Sequence, residues 1–300
     1  MRNLEEKEIK DIIYLYSCKR FSLNKIRKMF KLQFEDVKNI LLNNNIEIRN
    51  HRESRLTYNY NENYFSVINT PEKAYWLGFI YADGFITKRA NGNPVFGITL
   101  AEIEPLEKLN ECLNSNKPIY KYEKTNGYKS NSIEYKLAFT SKKLVEDLEK
   151  WGCVENKTFK LVFPKFLDSN LIPHFIRGYF DGDGSIYYHI QKTKTKEYTI
   201  LGVQFCGIES FLKDLATHIG AESCIYKDNR KNTNCYKIQL SSNIRSLKLY
   251  HYMYKNSNGL FLTRKKEKFE KFIKDRGSTT TISNPTYENV EYKKLCFIED

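Results

Sequence analysis

The sequence predicts an α+β fold in which two αββαββα repeats follow a small all-helical unit. Three observations carry this expectation. Trp76-Leu77-Gly78-Phe79-Ile80-Tyr81-Ala82-Asp83-Gly84 recurs one hundred residues later, from 76 to 176, as Ile176-Arg177-Gly178-Tyr179-Phe180-Asp181-Gly182-Asp183-Gly184. The segments behind each copy also match in order, with only loop lengths differing: Gly97-Ile98-Thr99-Leu100 with Gly202-Val203-Gln204-Phe205, Ile103-Glu104 with Ile208-Glu209, and Tyr135 to Ser141 with Tyr236 to Ser242. Ahead of the repeats, three short stretches carry apolar residues at helical spacing.

In residues 5–16, Ile9, Ile12, Ile13 and Tyr16 share one helical stripe. Ser22 reads as the N-cap of a helix through Phe30 that turns Leu23, Ile26, Met29 and Phe30 inward. A tight connection at Lys31-Leu32 leads to a third helix, Gln33 to Asn43, with Phe34, Val37, Ile40 and Leu41 inward. Residues 1–55 are therefore expected to form a helix-turn-helix-like DNA-binding domain. Its third helix, with Lys38, would read the groove, and the basic arm after it, with Arg49 and Arg52, would contact phosphates or the minor groove. Glu35 and Asp36 repel phosphate and favour the alternative of a plain helical bundle. Residues 56–70 are Asn- and Tyr-rich and read as a linker whose aromatics can still pack against a neighbour.

Within the repeats, Glu134 to Phe139 alternates polar and apolar residues, as a strand of a sheet with one exposed face should. The domain boundaries expected are 71–170 for the first repeat, 171–276 for the second, and 277–300 for a Ser/Thr/Asn-rich tail.

Composition narrows the function. Apolar residues make up 41% and charged residues 28%, enough to form a core. Lys plus Arg number 49 against 36 Asp plus Glu, a net charge of +13 that points to a polyanionic partner, nucleic acid before membrane. The abundance of Lys, Asn, Ile, Tyr and Phe is also what A/T-rich codons produce. No apolar run is long enough to span a bilayer, and Met1-Arg2-Asn3-Leu4-Glu5 does not open a signal peptide. Seven Cys without a Cys-x-x-Cys pair argue against disulfide and zinc frameworks and fit a reducing compartment. A bacterial or phage-infected cytoplasm or nucleoid, or an organelle, is expected rather than secretion. Gly-rich phosphate loops are absent.

The chemistry gathers at the ends of the two repeated helices. Gly78 and Gly178 sit mid-helix, where glycine costs about 1 kcal/mol relative to alanine, and so suggest two backbones in close approach. Packing of this kind would bring Asp83 and Asp183 together at two helix C-termini. Both the helix ends and the mutual repulsion disfavour paired carboxylates there, and a divalent cation resolves the conflict. Hard oxygen donors suit Mg2+.

These paired nonapeptides resemble the motif of the LAGLIDADG homing endonucleases in their single-chain, two-repeat form, and the resemblance covers about residues 71–275. It implies that the eighth motif residues, Asp83 and Asp183, bind the catalytic Mg2+ (or Mn2+), with the carbonyls of Ala82 and Gly182 beside them. The sixth position is Asp181 in one copy and Tyr81 in the other, a departure from the family's acid at a place that is usually structural. The family also places a lysine near each scissile phosphate at the end of the repeat; Lys157 and Lys265 match, with Arg264 as substitute for the second. A polar strand residue often holds the attacking water, here Gln204, or Thr99 in the first repeat. Lys136 and Lys237 are expected on phosphates, and Lys192, Lys194 and Lys196 on a ribbon in the major groove. The implied activity is a staggered double-strand break at a long asymmetric DNA site, made by a monomer, in homing of an intron or mobile gene. The termini carry no intein junction residues, so a free-standing or intron-encoded protein is expected. Other relatives keep the fold as DNA-binding regulators or as maturases that act on intron RNA; the presence of both acids favours the nuclease.

Overall fold

The computed structural model describes residues 4–19, 21–49, 58–88, 92–123, 132–192, 194–195, 197–228 and 234–277. The chain divides into two units, 1–61 with 114–117, and 62–113 with 118–300.

The smaller unit holds three helices, α1 (Glu6–Ser17), α2 (Leu23–Phe30) and α3 (Phe34–Asn43). Ser22 caps α2 by accepting from Lys25 N, and Lys31 ends it in the left-handed region at φ 53°. Ile12, Tyr16, Ile26, Leu32, Val37 and Leu41 form the core. Met29, expected inward, is 54% exposed. At 100° per residue, Leu23, Ile26 and Phe30 centre the buried stripe of α2, and Met29 falls about 90° from that centre. Arg49 is used inside this unit. Its guanidinium donates to Phe21 O at 2.6 Å and lies 3.9 Å over the Tyr16 ring, and its backbone N–H donates to Tyr16 Oη at 2.8 Å.

The larger unit contains both repeats. The first runs α4 (Pro71–Asp83), β1 (Gly84–Thr87), β2 (Val95–Leu100), α5 (Glu104–Cys112), β3 (Tyr120–Glu123), β4 (Ile133–Thr140) and α6 (Lys142–Lys150). The second runs α7 (Ile172–Asp183), β5 (Gly184–Lys192), β6 (Glu197–Gly207), α8 (Glu209–His218), β7 (Ile225–Lys227), β8 (Tyr236–Leu240) and α9 (Asn243–Tyr254), and α10 (Thr263–Gly277) closes it. Each repeat builds one antiparallel four-stranded sheet, ordered β1-β2-β4-β3 and β5-β6-β8-β7. The α+β duplication expected from the repeats is the fold.

Pairing defines the faces. Phe96 opposes Phe139 and Ile98 opposes Leu137, all buried. Thr99 opposes Lys136 on the other face of that sheet. In the second sheet Val203 opposes Leu240 in the core, while Gln204 opposes Gln239 and Cys206 opposes Lys237 on the open face. One apolar face and one polar face is the alternation Tyr135 to Phe139 encodes.

The helices α4 and α7 form the axis between the repeats. A Cβ on Gly78 would sit 2.0 Å from Phe175 O, and one on Gly178 would sit 1.9 Å from Tyr75 O. The two glycines therefore admit the partner's backbone, which is why they stand mid-helix. Part of the 56–70 segment belongs to this core: Tyr64 and Phe65 are buried, and Trp151 Nε1 donates to Phe65 O at 2.5 Å.

Candidate active site

The axis helices end side by side. A Cβ on Gly182 would lie 2.2 Å from Ala82 Cβ and 3.0 Å from Asp83 Oδ2, so Ala82-Asp83 and Gly182-Asp183 meet at one point. Asp83 is half-buried and Asp183 reaches solvent. Burial and the charge of Asp183 push the Asp83 carboxyl up to about 6, against the pull of Lys265, Lys157 and Arg264. Asp183 moves in the same direction, burial first, with Lys157 and Lys265 drawing it back. A carboxylate pair that resists ionisation is the arrangement a cation would relieve.

Both lysines are at this junction. Lys157, half-buried in the short turn Lys157–Phe159, donates to Ala82 O at 2.9 Å. Lys265, 3% exposed, donates to the carbonyls of Phe180 (2.6 Å), Asp181 (2.7 Å) and Gly184 (2.6 Å) and stands 3.4 Å from Gly182 O. It caps the C-terminus of α7, where a cation meets the negative end of the helix dipole. Burial lowers both ammonium pKa values, that of Lys265 to about 8. Arg264 is paired with Glu102 at 2.5 Å.

Among the described residues no group of three or more His, Cys, Asp or Glu forms a metal cluster. The donors present are two carboxylates and the carbonyls of Ala82 and Gly182. That all-oxygen set fits a hard divalent ion. Two ammonium groups already lie against the two carbonyls, marking the junction as a place where positive charge settles.

The remaining sequence-predicted residues divide by face. Gln204, Lys136 and Lys237 lie on open sheet faces, and Gln204 Nε2 donates to Cys206 Sγ at 3.2 Å. Strand register puts Lys192 on the face of Ile186, where it pairs with Glu197 at 2.6 Å, while Tyr187, His189 and Gln191 share the face of Gln204. Lys194 lies in the bend after β5, and Lys38 pairs with Glu35 at 3.6 Å. Arg52 and Lys196 lie outside the described residues.

A buried polar network built around Asp181, the sixth motif residue, lies beneath the site. Asp181, 1% exposed, accepts through Oδ2 from Tyr75 Oη and from Leu262 N, each at 2.9 Å, and burial raises its carboxyl to about 6. Arg177, fully buried, donates to Leu260 O (2.9 Å), Met253 O (2.6 Å) and His174 Nδ1 (2.8 Å). The sequence signal was available: Asp181 and Arg177 are charged residues within an otherwise apolar helix.

Residues 171–272 match the family model of the LAGLIDADG-like domain. That match covers the second repeat, and residues 71–150 build the same order of elements as it does. A curated relative, the replication factor C small subunit of Methanocaldococcus jannaschii, is 26% identical over 233 residues, 74% of this chain. The aligned region is 11% of that protein, so the chain spans about a tenth of its length. Among solved structures, the meganuclease I-CpaMI bound to uncleaved DNA is 14% identical with a TM-score of 0.48, over 71% of this chain and 93% of that one. The meganuclease I-SmaMI bound to an uncleaveable DNA is 15% identical with a TM-score of 0.47, over 72% of this chain and 93% of that one. I-SmaMI bound to an uncleaved DNA target with calcium ions is 14% identical with a TM-score of 0.42, over 71% and 95%.

Proposed function

We propose that this protein is a site-specific DNA endonuclease that makes a staggered double-strand break by metal-dependent phosphodiester hydrolysis, in the homing of an intron or mobile gene. The observation that carries the reading is the meeting of one carboxylate from each repeat at the ends of two helices, with two lysines beside them and an open polar sheet face in each repeat. Asp83 and Asp183, with the carbonyls of Ala82 and Gly182, would hold Mg2+ or Mn2+. When bound, such an ion activates water and offsets charge at the reacting phosphate. Lys157 and Lys265 add positive charge beside each phosphate, and Gln204, with Thr99 in the first repeat, orients water through a strand side chain. Lys136, Lys237 and the Gln and His residues of the open faces contact double-stranded DNA, phosphates for position and base edges for sequence. Two unequal repeats in one chain call for an asymmetric target and a monomer. Residues 1–55 extend the DNA contact.

The test is cleavage of a randomised duplex library with Mg2+ present. Recovery of one asymmetric sequence cut on both strands, lost in Asp83→Asn and Asp183→Asn, supports the reading. Tight binding without cleavage under any divalent ion would make the protein a DNA-binding regulator instead. Tight binding to intron RNA without DNA cleavage would make it a maturase.

A further inference from the structure

We propose that the sixth residue of each motif copy, Tyr81 or Asp181, is a positioning residue for the lysine of its own repeat, and that the difference between the two sets the order in which the DNA strands are cut. The strand order rests on the nuclease reading above; the positioning does not.

The two residues are chemically unlike but tie corresponding parts together. Tyr81 donates its hydroxyl to Trp151 O at 2.5 Å, six residues ahead of Lys157. Gly152, at φ +94°, closes the turn on that hydroxyl: a Cβ there would be 2.4 Å from Tyr81 Oη. Asp181 accepts from Leu262 N at 2.9 Å, three residues ahead of Lys265, and Leu262 O in turn accepts from Lys265 N at 3.0 Å. Each axis helix thereby holds the turn that delivers a lysine back to its own C-terminus.

The tethers differ in length and so in outcome. Asp181 reaches only as far as a carboxylate allows and grips the residue just before α10. One turn further on, Lys265 is driven onto the end of α7, where three carbonyls hold it within 2.7 Å. Tyr81 spans a whole phenol and grips a point six residues upstream. The intervening chain includes the left-handed Asn156, at φ 55°, and Lys157 remains half-buried with a bond to Ala82 O. To meet a phosphate Lys265 must surrender three short hydrogen bonds, whereas Lys157 surrenders one. The phosphate served by Lys157 is cut first, and the second cut waits on Lys265.

The test uses the full chain and a target selected from the library, with the two strands labelled differently. In the wild type, one strand is nicked before linear product appears, and Lys157→Ala slows that strand at least tenfold. Tyr81→Phe, which keeps the packed ring, slows the same strand only. Asp181→Ala slows the other strand, and Asp181→Asn, whose single amide oxygen can accept both hydrogen bonds, restores it. A second readout needs no cleavage: competitive acetylation of the metal-free protein, followed by peptide mass spectrometry. Lys157 should react several-fold faster than Lys265, Tyr81→Phe should change Lys157 alone, and Asp181→Ala should change Lys265 alone. If Asp181→Ala does not fold, Tyr81→Phe decides the matter by itself. A wild type that cuts neither strand defeats the nuclease reading, with acetylation still deciding the positioning. Equal slowing of both strands by Tyr81→Phe, or Lys265 acetylated as fast as Lys157, overturns the inference.

Discussion

Asp83 and Asp181 are both carboxyls that burial holds at about 6, well above an unfolded aspartate near 4. The folded chain therefore binds these protons more tightly than the unfolded chain does, so the stabilisation is complete below about pH 4 and is lost as pH rises through 6. Metal-free protein is expected to lose stability across that window, and Asp83→Asn should remove about 1–2 kcal/mol of the loss after solvent screening, with the part due to Asp181 remaining. Urea titrations at a series of pH values check this; an unchanged slope in Asp83→Asn would place the ionisation elsewhere. On the nuclease reading, Asp83→Asn or Asp183→Asn abolishes double-strand cleavage while leaving DNA affinity within a few-fold, because affinity comes mainly from phosphate neutralisation. Gel-shift and plasmid-linearisation assays on the same preparations separate the two effects.

At the scale of elements, the α4–α7 contact leaves the least room for an added atom among the described glycines. Alanine ordinarily gains about 1 kcal/mol over glycine in a helix. At Gly78 or Gly178 the added methyl would stand about 2 Å from a carbonyl oxygen of the other helix, so the axes must separate. Overpacking of this kind costs about 1–3 kcal/mol or more, which outweighs the propensity gain. Gly78→Ala and Gly178→Ala are each expected to lower the melting temperature by several degrees, read by calorimetry; an unchanged or higher value would show that the helices can part freely. The hairpins are the second contrast. Strands β5 and β6 have 9 and 11 residues, whereas β1 and β2 have 4 and 6. The longer ribbon presents Ser185, Tyr187, His189, Gln191 and Gln204 on one face. A directly read base pair costs about 1–3 kcal/mol when changed. On the nuclease reading, the half-site under residues 187–201 should therefore tolerate fewer substitutions than the half-site under 87–96. Cleavage of all single-base variants of the selected target decides it, and equal tolerance would remove the ribbon from recognition.

At the scale of the whole molecule, the proposed function assigns DNA contact to the three-helix unit and the chemistry to the duplicated unit. On the proposed reading, deletion of residues 1–55 weakens DNA binding and lowers its salt slope without removing the cleavage chemistry, since both acids and both lysines lie beyond residue 56. Filter binding over a range of salt concentrations measures the slope; an unchanged slope and affinity would make the unit a bundle without DNA contact, as Glu35 and Asp36 would favour. Arg49 already belongs inside that unit, spent on Phe21 O and the Tyr16 ring.

What the sequence determined by itself is whatever repeats or alternates along the chain. Period-two strands, the Ser22 helix cap, the paired mid-helix glycines and the two Asp-Gly helix ends are local patterns, and each became the element it described. Because Asp83 and Asp183 occupy the same motif position, helix pairing alone was enough to bring them together. The tertiary structure decided what depends on distance between remote segments. Lys265 became a buried helix cap while Lys157 stayed half-buried, and nothing in Asn156-Lys157-Thr158 or Arg264-Lys265-Lys266 distinguishes those outcomes. The distinction comes from Tyr81 and Asp181, which reach different lengths from the same register to turns 70 and 81 residues away. Strand register likewise turned Lys192 toward Glu197 and left His189 and Gln191 on the open face, since a side chain's face follows from the parity of its pairing rather than its charge.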